Sequence, residues 1–186
     1  MRIISGSLKG KTINFLKNSK TRPLKDSVRE SIFNILKHSS LIKTGIENSK
    51  VLDLYSGIGS FGIECISRKA LQVTFVEKDV GAVSILRENL RNLSIIEKAR
   101  VHNDTIENYL MKNNNEKFNI FFFDPPFKDN FFINYLKMIK KNMNYEKDHI
   151  VIVHREVKTH DELENFIKII EIKQYGRSKI IFGQFK

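Results

Sequence analysis

The amino-acid sequence predicts an α/β fold built on a mostly parallel, seven-stranded sheet that an antiparallel hairpin closes at the C-terminal end. From residue 50 onward, short apolar runs alternate with helix-like stretches, as in βαβ units. The apolar runs are nearly continuous, which is typical of parallel strands covered on both faces. The last two runs, within residues 169–185, flank Gly176, a residue typical of hairpin turns.

Five strands are predicted before this hairpin, and a helix follows each of them. The strands occupy residues 50–56, 72–79, 100–104, 118–123 and 149–154. The helices occupy residues 60–68, residues 80–92, a short stretch that ends at Met111, residues 130–141 and residues 160–167.

The residues before 50 follow a different pattern. The stretch MRIISGSLKGKTINF predicts a small basic hairpin that turns near Gly6 or Gly10. A helix capped by Asp26 or Ser27 comes next. Its apolar residues share one face at helical spacing: Val28, Ile32, Phe33, Ile35 and Leu36.

Length and charge limit the possible functions. For a chain of 186 residues we expect one main domain over residues 26–186, preceded by a basic N-terminal arm over residues 1–25. Lys and Arg number 32 against 21 Asp and Glu, and the net charge of +11 favours an anionic partner such as nucleic acid. A surface merely coated with lysine would give the same charge.

Several classes of protein do not fit the sequence. Cys65 is the single cysteine, which excludes an internal disulfide and a multi-cysteine metal site, and no pairing of histidines suggests a metal. No apolar run approaches the ~20 residues of a membrane span. The N-terminal residues lack the apolar core of a signal peptide. We therefore expect a cytoplasmic monomer that uses no metal.

The first predicted strand carries residues suited to a ligand, because ligands bind at the carboxyl ends of such strands. It contains Asp53 and runs into Gly57, Gly59 and Gly62, a formal G-x-G-x-x-G. Such a turn lets backbone N–H groups approach a ligand, although tight turning alone also explains it. A buried Asp53 needs a partner, either a cationic or amine-bearing ligand or the N–H groups of the loop.

Two more acids end the next strands. Glu77 is placed to accept both hydroxyl groups of a ribose, or it is a solvated carboxylate. Asp104 could accept from an adenine amino group, or it caps the following helix. With Asp53, this pattern places an acid at the end of each of three successive strands.

The fourth strand ends in Asp124-Pro125-Pro126-Phe127. The carboxylate and the Pro125 carbonyl are acceptors, and prolines have no N–H group to donate. Phe127 can stack on a planar base. This combination suits an exocyclic amino group, whose two hydrogens go to the acceptors while its lone pair faces an electrophile. The alternative is a proline-terminated strand with a core phenylalanine.

The motif DLYSGIG, the acids Glu77 and Asp104, and DPPF together resemble class I S-adenosylmethionine-dependent methyltransferases that act on amino nitrogens. The stretches TRPLKDSVRESIFNIL, MRIISGSLKGK and GIECISRKA resemble the bacterial 16S rRNA (guanine-N2)-methyltransferases of the RsmD type, over essentially the whole chain. This resemblance implies a Rossmann-like fold and S-adenosylmethionine as cofactor. It also implies guanine N2 in 16S rRNA, within the small ribosomal subunit, as the target.

The resemblance implies roles for individual residues as well. The methionine part of the cofactor would be held by Asp53, Tyr55, Ser56, Gly57 and Gly59, the ribose by Glu77 and the adenine by Asp104. The guanine amine would be oriented by Asp124, Pro125, Pro126 and Phe127. Substrate would be contacted by Thr21 and Arg22 at the mouth of the site, with Arg22 on a phosphate or in a surface ion pair. The RNA backbone would be held by Lys9, Lys11, Lys17 and Lys20.

One stretch departs from the family pattern. His154 and Arg155 stand near the end of the fifth strand, where we expect an acid, and we expect both at the surface.

Other activities remain open. The same cofactor could serve adenine N6 in RNA or DNA, or a protein glutamine, although glutamine-directed enzymes usually carry Asn where this chain has Asp124. An NAD-dependent oxidoreductase would leave DPPF unused. A non-enzymatic rRNA-binding protein would not need the strand-end acids.

Overall fold

The computed structural model describes residues 1–15, 24–112 and 115–186. Its helices are α1 (Asp26–His38), α2 (Ser60–Ser67), α3 (Val80–Asn92), α4 (Ile106–Lys112) and α5 (Phe132–Asn142). Its strands are β1 (Lys50–Leu54), β2 (Gln72–Glu77), β3 (Ala99–Asn103), β4 (Phe118–Phe123), β5 (Tyr145–Glu156), β6 (Ile167–Tyr175) and β7 (Ser178–Phe185). None of the helices in these ranges is long and apolar enough to cross a membrane.

The seven strands form one sheet in the order β3-β2-β1-β4-β5-β7-β6. Strands β1 to β5 all run parallel to one another, and β7 is antiparallel to both β5 and β6. The prediction of a mostly parallel sheet closed by an antiparallel hairpin is therefore confirmed. Since β1 and β4 are adjacent at the centre, the residues that follow these two strands lie side by side.

Apolar side chains cover both faces of the sheet. On one face, α1, α2 and α3 pack, and the Phe61 ring stacks between the rings of Phe33 and Phe122, at centroid distances of 5.2 and 4.0 Å. On the other face, α4 and α5 pack over Phe121 and Phe123. Successive residues of β4 thus point to opposite cores, which explains its continuous run of phenylalanines.

Two local predictions were wrong. Instead of a helix over residues 160–167, the structure has a single 3-10 turn at Leu163–Asn165, and β6 begins at Ile167. Ile167 is fully buried and pairs with Phe185, so sheet pairing overrides the short helical pattern. Helix α1 begins at Asp26, with no side-chain hydrogen bond at its cap, and the Asp26 carboxylate pairs with Arg29 at 3.0 Å instead.

The N-terminal residues form the predicted hairpin, and it is held against α2. Arg2 and Thr12 form an antiparallel bridge. The N–H groups of Ile4 and Ser5 donate to the buried Glu64 carboxylate at 2.8 and 2.9 Å. The apolar residues Ile3, Leu8 and Ile13 are buried in the core that α1 also joins. The division of the chain at residue 25 stays a prediction.

The contact at Gly6 makes the attachment of this hairpin testable. Gly6 has a φ of +84°, and a Cβ there would lie 1.9 Å from the Ser67 carbonyl oxygen. Gly10 has a φ of +85°, but a Cβ there would meet nothing within 4 Å. We expect Gly10→Ala to lower the free energy of unfolding by about 1 kcal/mol through backbone strain. Gly6→Ala adds a clash with the backbone to this strain. We expect it to lower the free energy of unfolding, measured in urea, by at least about 2 kcal/mol more than Gly10→Ala does. Equal losses would contradict the close contact.

Candidate active site

Four acids lie along the carboxyl edge of the sheet. Asp53 lies in β1 and Glu77 ends β2, while Asp104 and Asp124 follow β3 and β4. Their strands are adjacent and parallel, so the edge predicted to bind a ligand carries acids at four neighbouring positions.

Asp53 is a buried carboxyl group with negative neighbours. Only 1% of the residue is exposed, and its Oδ2 accepts from the Gly62 N–H at 3.0 Å. Burial raises the pKa of Asp53 well above its usual range, and the charges of Asp124 and Glu77 raise this pKa further. The hydrogen bond from Gly62 only partly opposes these effects. A cationic group at this edge would therefore relieve the electrostatic cost.

The raised pKa of Asp53 makes stability depend on pH. Because the folded protein binds this proton more tightly than the unfolded chain does, the free energy of unfolding falls as pH rises between the two pKa values. Asp53→Asn removes the titrating carboxyl group, and with it this fall in the free energy of unfolding. We expect the variant to be more stable than the wild type at pH 7, with the difference vanishing below about pH 4, where an unfolded Asp is also protonated. Denaturant unfolding across this pH range measures the difference, and a variant less stable at pH 7 would contradict the assignment.

The glycine-rich turn after β1 leaves room for a ligand. Tyr55 and Gly57 have φ values of +60° and +53°, and a Cβ at Gly57 would meet nothing within 4 Å. By contrast, a Cβ at Gly59 would lie 2.4 Å from Leu86, so Gly59 serves packing. The Ser56 hydroxyl is buried and has no hydrogen-bond partner among the residues that the structure describes. The turn thus combines open space with an unused hydroxyl group.

Glu77 ties this turn to β2. One carboxylate oxygen accepts from the Gly57 N–H and the other from the Asp79 N–H, both at 2.9 Å. Each oxygen still has a second lone pair for a ligand. The predicted contact with a ribose stays a prediction.

Asp104 serves the start of α4. Its Oδ1 accepts from the N–H of Thr105 at 2.8 Å and from the Asn108 amide at 2.9 Å, and its Oδ2 pairs with Lys112 at 2.9 Å. The hydrogen bond from Asn108, followed by that from Lys112, lowers the pKa of Asp104. The cap of α4 is Thr105 instead, because its hydroxyl accepts from the Asn108 N–H at 3.2 Å, so the helix-capping alternative for Asp104 was wrong. A contact of Asp104 with adenine stays a prediction.

The DPPF segment is held from two sides. The Pro126 carbonyl accepts from the Asp129 N–H at 2.7 Å, which closes a turn, and the Tyr55 hydroxyl donates to Asp129 at 2.8 Å. This contact joins the turn after β1 to the turn after β4. The Asp124 side chain is 26% exposed and Phe127 is 39% exposed. A carboxylate and an aromatic ring are therefore both partly exposed just after β4, at the carboxyl edge of the sheet.

The expectation that His154 and Arg155 lie at the surface was wrong. His154 is 8% exposed, and its Nδ1 lies 2.7 Å from Asp124 Oδ1. Arg155 is fully buried, and its guanidinium donates twice to Asp161, each time at 3.0 Å. It also donates to the Pro126 carbonyl at 3.2 Å. Two residues on β5 thus support the DPPF segment.

The sequence contains a signal for these two residues. They follow the buried run of β5, beside β4, at the same edge that carries the acids. Phe123 of β4 pairs with Val153 of β5. The residues that follow them, Asp124 and His154, are therefore neighbours. Charge alone suggested solvent, whereas position in the sheet indicates the site.

The predicted RNA contacts are only partly described. Lys9 and Lys11 are exposed on the N-terminal hairpin. The other residues predicted to contact RNA lie outside the part of the chain that the structure describes: Lys17, Lys20, Thr21 and Arg22.

Comparison with known proteins places this chain in a family. Residues 1–184 match the family model described as conserved hypothetical protein 95. The chain is 32% identical over 158 residues to the ribosomal RNA small subunit methyltransferase D of Haemophilus influenzae, covering 84% of this chain and 79% of that protein. It is 32% identical over 156 residues to the protein of the same name in Buchnera aphidicola (Baizongia pistaciae), covering 84% and 76%. A solved Escherichia coli structure, provisionally described as the methyltransferase yhhF, superposes with a TM-score of 0.85 at 27% identity, covering 100% and 98%.

Proposed function

The chain belongs to the conserved hypothetical protein 95 family, and we propose that it methylates N2 of a guanine in 16S rRNA of the small ribosomal subunit. It is an S-adenosylmethionine-dependent rRNA methyltransferase, as its relatives named ribosomal RNA small subunit methyltransferase D indicate. The guanine, its N2 atom and the roles of single residues are the proposal. One observation carries it: the Asp124 carboxylate and the Phe127 ring face the edge where Asp53 and Glu77 lie.

The residues at this edge fit S-adenosylmethionine. When bound, this cofactor supplies a methyl group on a positively charged sulfur, and it also carries a charged amino group. The raised pKa of Asp53 marks a carboxyl group that gains from a nearby cation. The open space at Gly57 and the unused Ser56 hydroxyl suit its polar methionine part. Glu77 would accept from the ribose hydroxyls through its remaining lone pairs.

The DPPF segment suits an amino group attached to a flat ring. Asp124 accepts one hydrogen of the guanine amine and the Pro125 carbonyl accepts the other. Arg155 already donates to the Pro126 carbonyl, so the two carbonyls of this segment have different partners. Phe127 stacks on the base. Held in this way, the nitrogen lone pair faces the cofactor side of the edge.

Catalysis then rests on alignment. The lone pair of guanine N2 is conjugated into the ring, so the amine is a weak nucleophile. Asp124 accepting from the amine favours the tetrahedral geometry that attack on a methyl group requires. Fixing the nitrogen in line with the methyl group lowers the barrier through proximity by several kcal/mol, up to about 11 kcal/mol in the best-oriented cases. The proton leaves the nitrogen from the side of Asp124.

The target base must leave its stack to reach Asp124. Extrusion costs a few kcal/mol in a helix and less in a loop, which favours an unpaired guanine. The net charge of +11, including the exposed Lys9 and Lys11, supports binding to the phosphate backbone.

The experiment that tests this function uses tritiated S-adenosylmethionine and small ribosomal subunits from cells that lack the enzyme. Nucleosides from the product are separated by chromatography. Label in N2-methylguanosine supports the proposal. Label in N6-methyladenosine would agree with the proposed site but would show that the acceptor is adenine rather than guanine. Cofactor binding without label on subunits, tested beside free rRNA and DNA, would point to another substrate.

A further inference from the structure

We propose that His154 is a positioning residue that fixes the Asp124 carboxylate through its Nδ1–H group, an inference that rests on the proposed function. The contact between Nδ1 and Asp124 Oδ1 is 2.7 Å long, which is short for a hydrogen bond from nitrogen. An ionised carboxylate can only accept, so the proton of this bond lies on the histidine.

The other ring nitrogen identifies the tautomer. His154 Nε2 is buried and has no hydrogen-bond partner among the residues that the structure describes. A proton on this nitrogen would be a buried donor without an acceptor, which is costly. We therefore expect the ring to carry its proton at Nδ1 and to donate it to Asp124.

The surroundings hold the histidine ring in this orientation. His154 lies on β5, next to β4, and the Phe127 ring packs against its edge at a centroid distance of 5.7 Å. The neighbouring charge of Arg155 is paired with Asp161 and does not compete for Asp124. The same imidazole thus contacts both the acceptor of the amine and the ring that stacks on the base.

This arrangement gives the two carboxylate oxygens of Asp124 different roles. Oδ1 is occupied by His154, which leaves Oδ2 for the substrate amine. Without the histidine bond, the carboxylate, which is 26% exposed, can rotate and bind water with either oxygen. Because small misplacements at a reacting centre cost up to ~100-fold in rate, loss of this one bond should lower kcat markedly.

A matched pair of substitutions tests the role. The Asn Nδ2 atom, like the His Nδ1 atom, is bonded to Cγ, so His154→Asn keeps a donor where His154→Leu has none. We expect His154→Leu to lower kcat about 10- to 100-fold with little change in KM, and His154→Asn to recover most of it. In the Asp124→Ala background, His154→Leu should cause no further loss. Equal losses for Leu and Asn, or an added loss in the double variant, would overturn the proposal.

A spectroscopic measurement separates this proposal from the proposed function. Nitrogen-15 spectra of the imidazole distinguish a ring protonated at Nδ1 from one protonated at Nε2 without any substrate. We expect the Nδ1–H form in the wild type and its loss in Asp124→Ala. An Nε2–H form would overturn the proposal even if the enzyme methylates rRNA. A wild type that shows the Nδ1–H form but labels no subunit would overturn the proposed acceptor and leave the pair intact.

Discussion

Replacing Asp124 by alanine is expected to lower kcat/KM for methyl transfer to small ribosomal subunits by about 10²- to 10⁴-fold, the range for a group proposed to align the amine and to lie on the side from which its proton leaves. The dissociation constant for S-adenosylmethionine should change less than the rate, because Glu77 hydrogen-bonds to Gly57 and Asp79 rather than to Asp124, and Asp124 acts on Asp53 through its charge. Calorimetric titration measures cofactor binding, and label incorporation measures the rate. Loss of both together would contradict this division of roles.

Two controls accompany the Asp124 variant. Removing Asp124 leaves the His154 donor without its acceptor, which costs about 1–3 kcal/mol, so unfolding must show that the variant is folded at the assay temperature. Asp148→Ala removes an exposed carboxylate near the opposite, amino-terminal end of β5. We expect Asp148→Ala to keep the wild-type rate. A similar loss in both variants would mean that net charge, rather than the position of Asp124, determines the rate.

The sheet and the positions of the acids could be predicted from the sequence, because both follow from patterns among residues close together in the chain. A buried parallel strand requires a continuous apolar run, and the residue after that run must lie at the carboxyl edge. Asp53, Glu77 and Asp124 could therefore be placed from local sequence alone. The neighbouring position of β1 and β4, which brings the two turns together, follows from the order of strands typical of the fold.

The supporting contacts could not be predicted in the same way. The Tyr55–Asp129 hydrogen bond joins residues 74 positions apart, and the His154–Asp124 contact joins residues 30 positions apart. The local sequence does not indicate which charged side chains are buried and paired inside the protein. A buried arginine such as Arg155 has the same local pattern as an exposed one. Only the tertiary structure shows that Asp161 is present to neutralise it.

Arg155→Met is expected to lower the free energy of unfolding by about 3–5 kcal/mol, because it leaves the Asp161 carboxylate buried without its cation. The Arg155 and Asp161 side chains are 0% and 2% exposed. Methionine replaces the apolar stem of Arg155 but not the guanidinium, which lies over the Phe132 ring at 4.7 Å. The loss therefore includes the packing of the guanidinium on Phe132 as well as its charge and hydrogen bonds. Denaturant unfolding at pH 7 gives the value.

Two further variants identify the cause of this loss. Arg177→Met breaks an ion pair with Glu156 of 2.8 Å, but Arg177 is 90% exposed, so we expect a loss below about 1 kcal/mol. Adding Asp161→Leu to Arg155→Met removes the unpaired charge and should restore most of the stability, because buried ion pairs are often replaceable by apolar pairs. The double variant still lacks the donor to the Pro126 carbonyl. If it regains stability but not the rate of methyl transfer, Arg155 supports the DPPF segment as well as the fold; full recovery of both would limit Arg155 to stability.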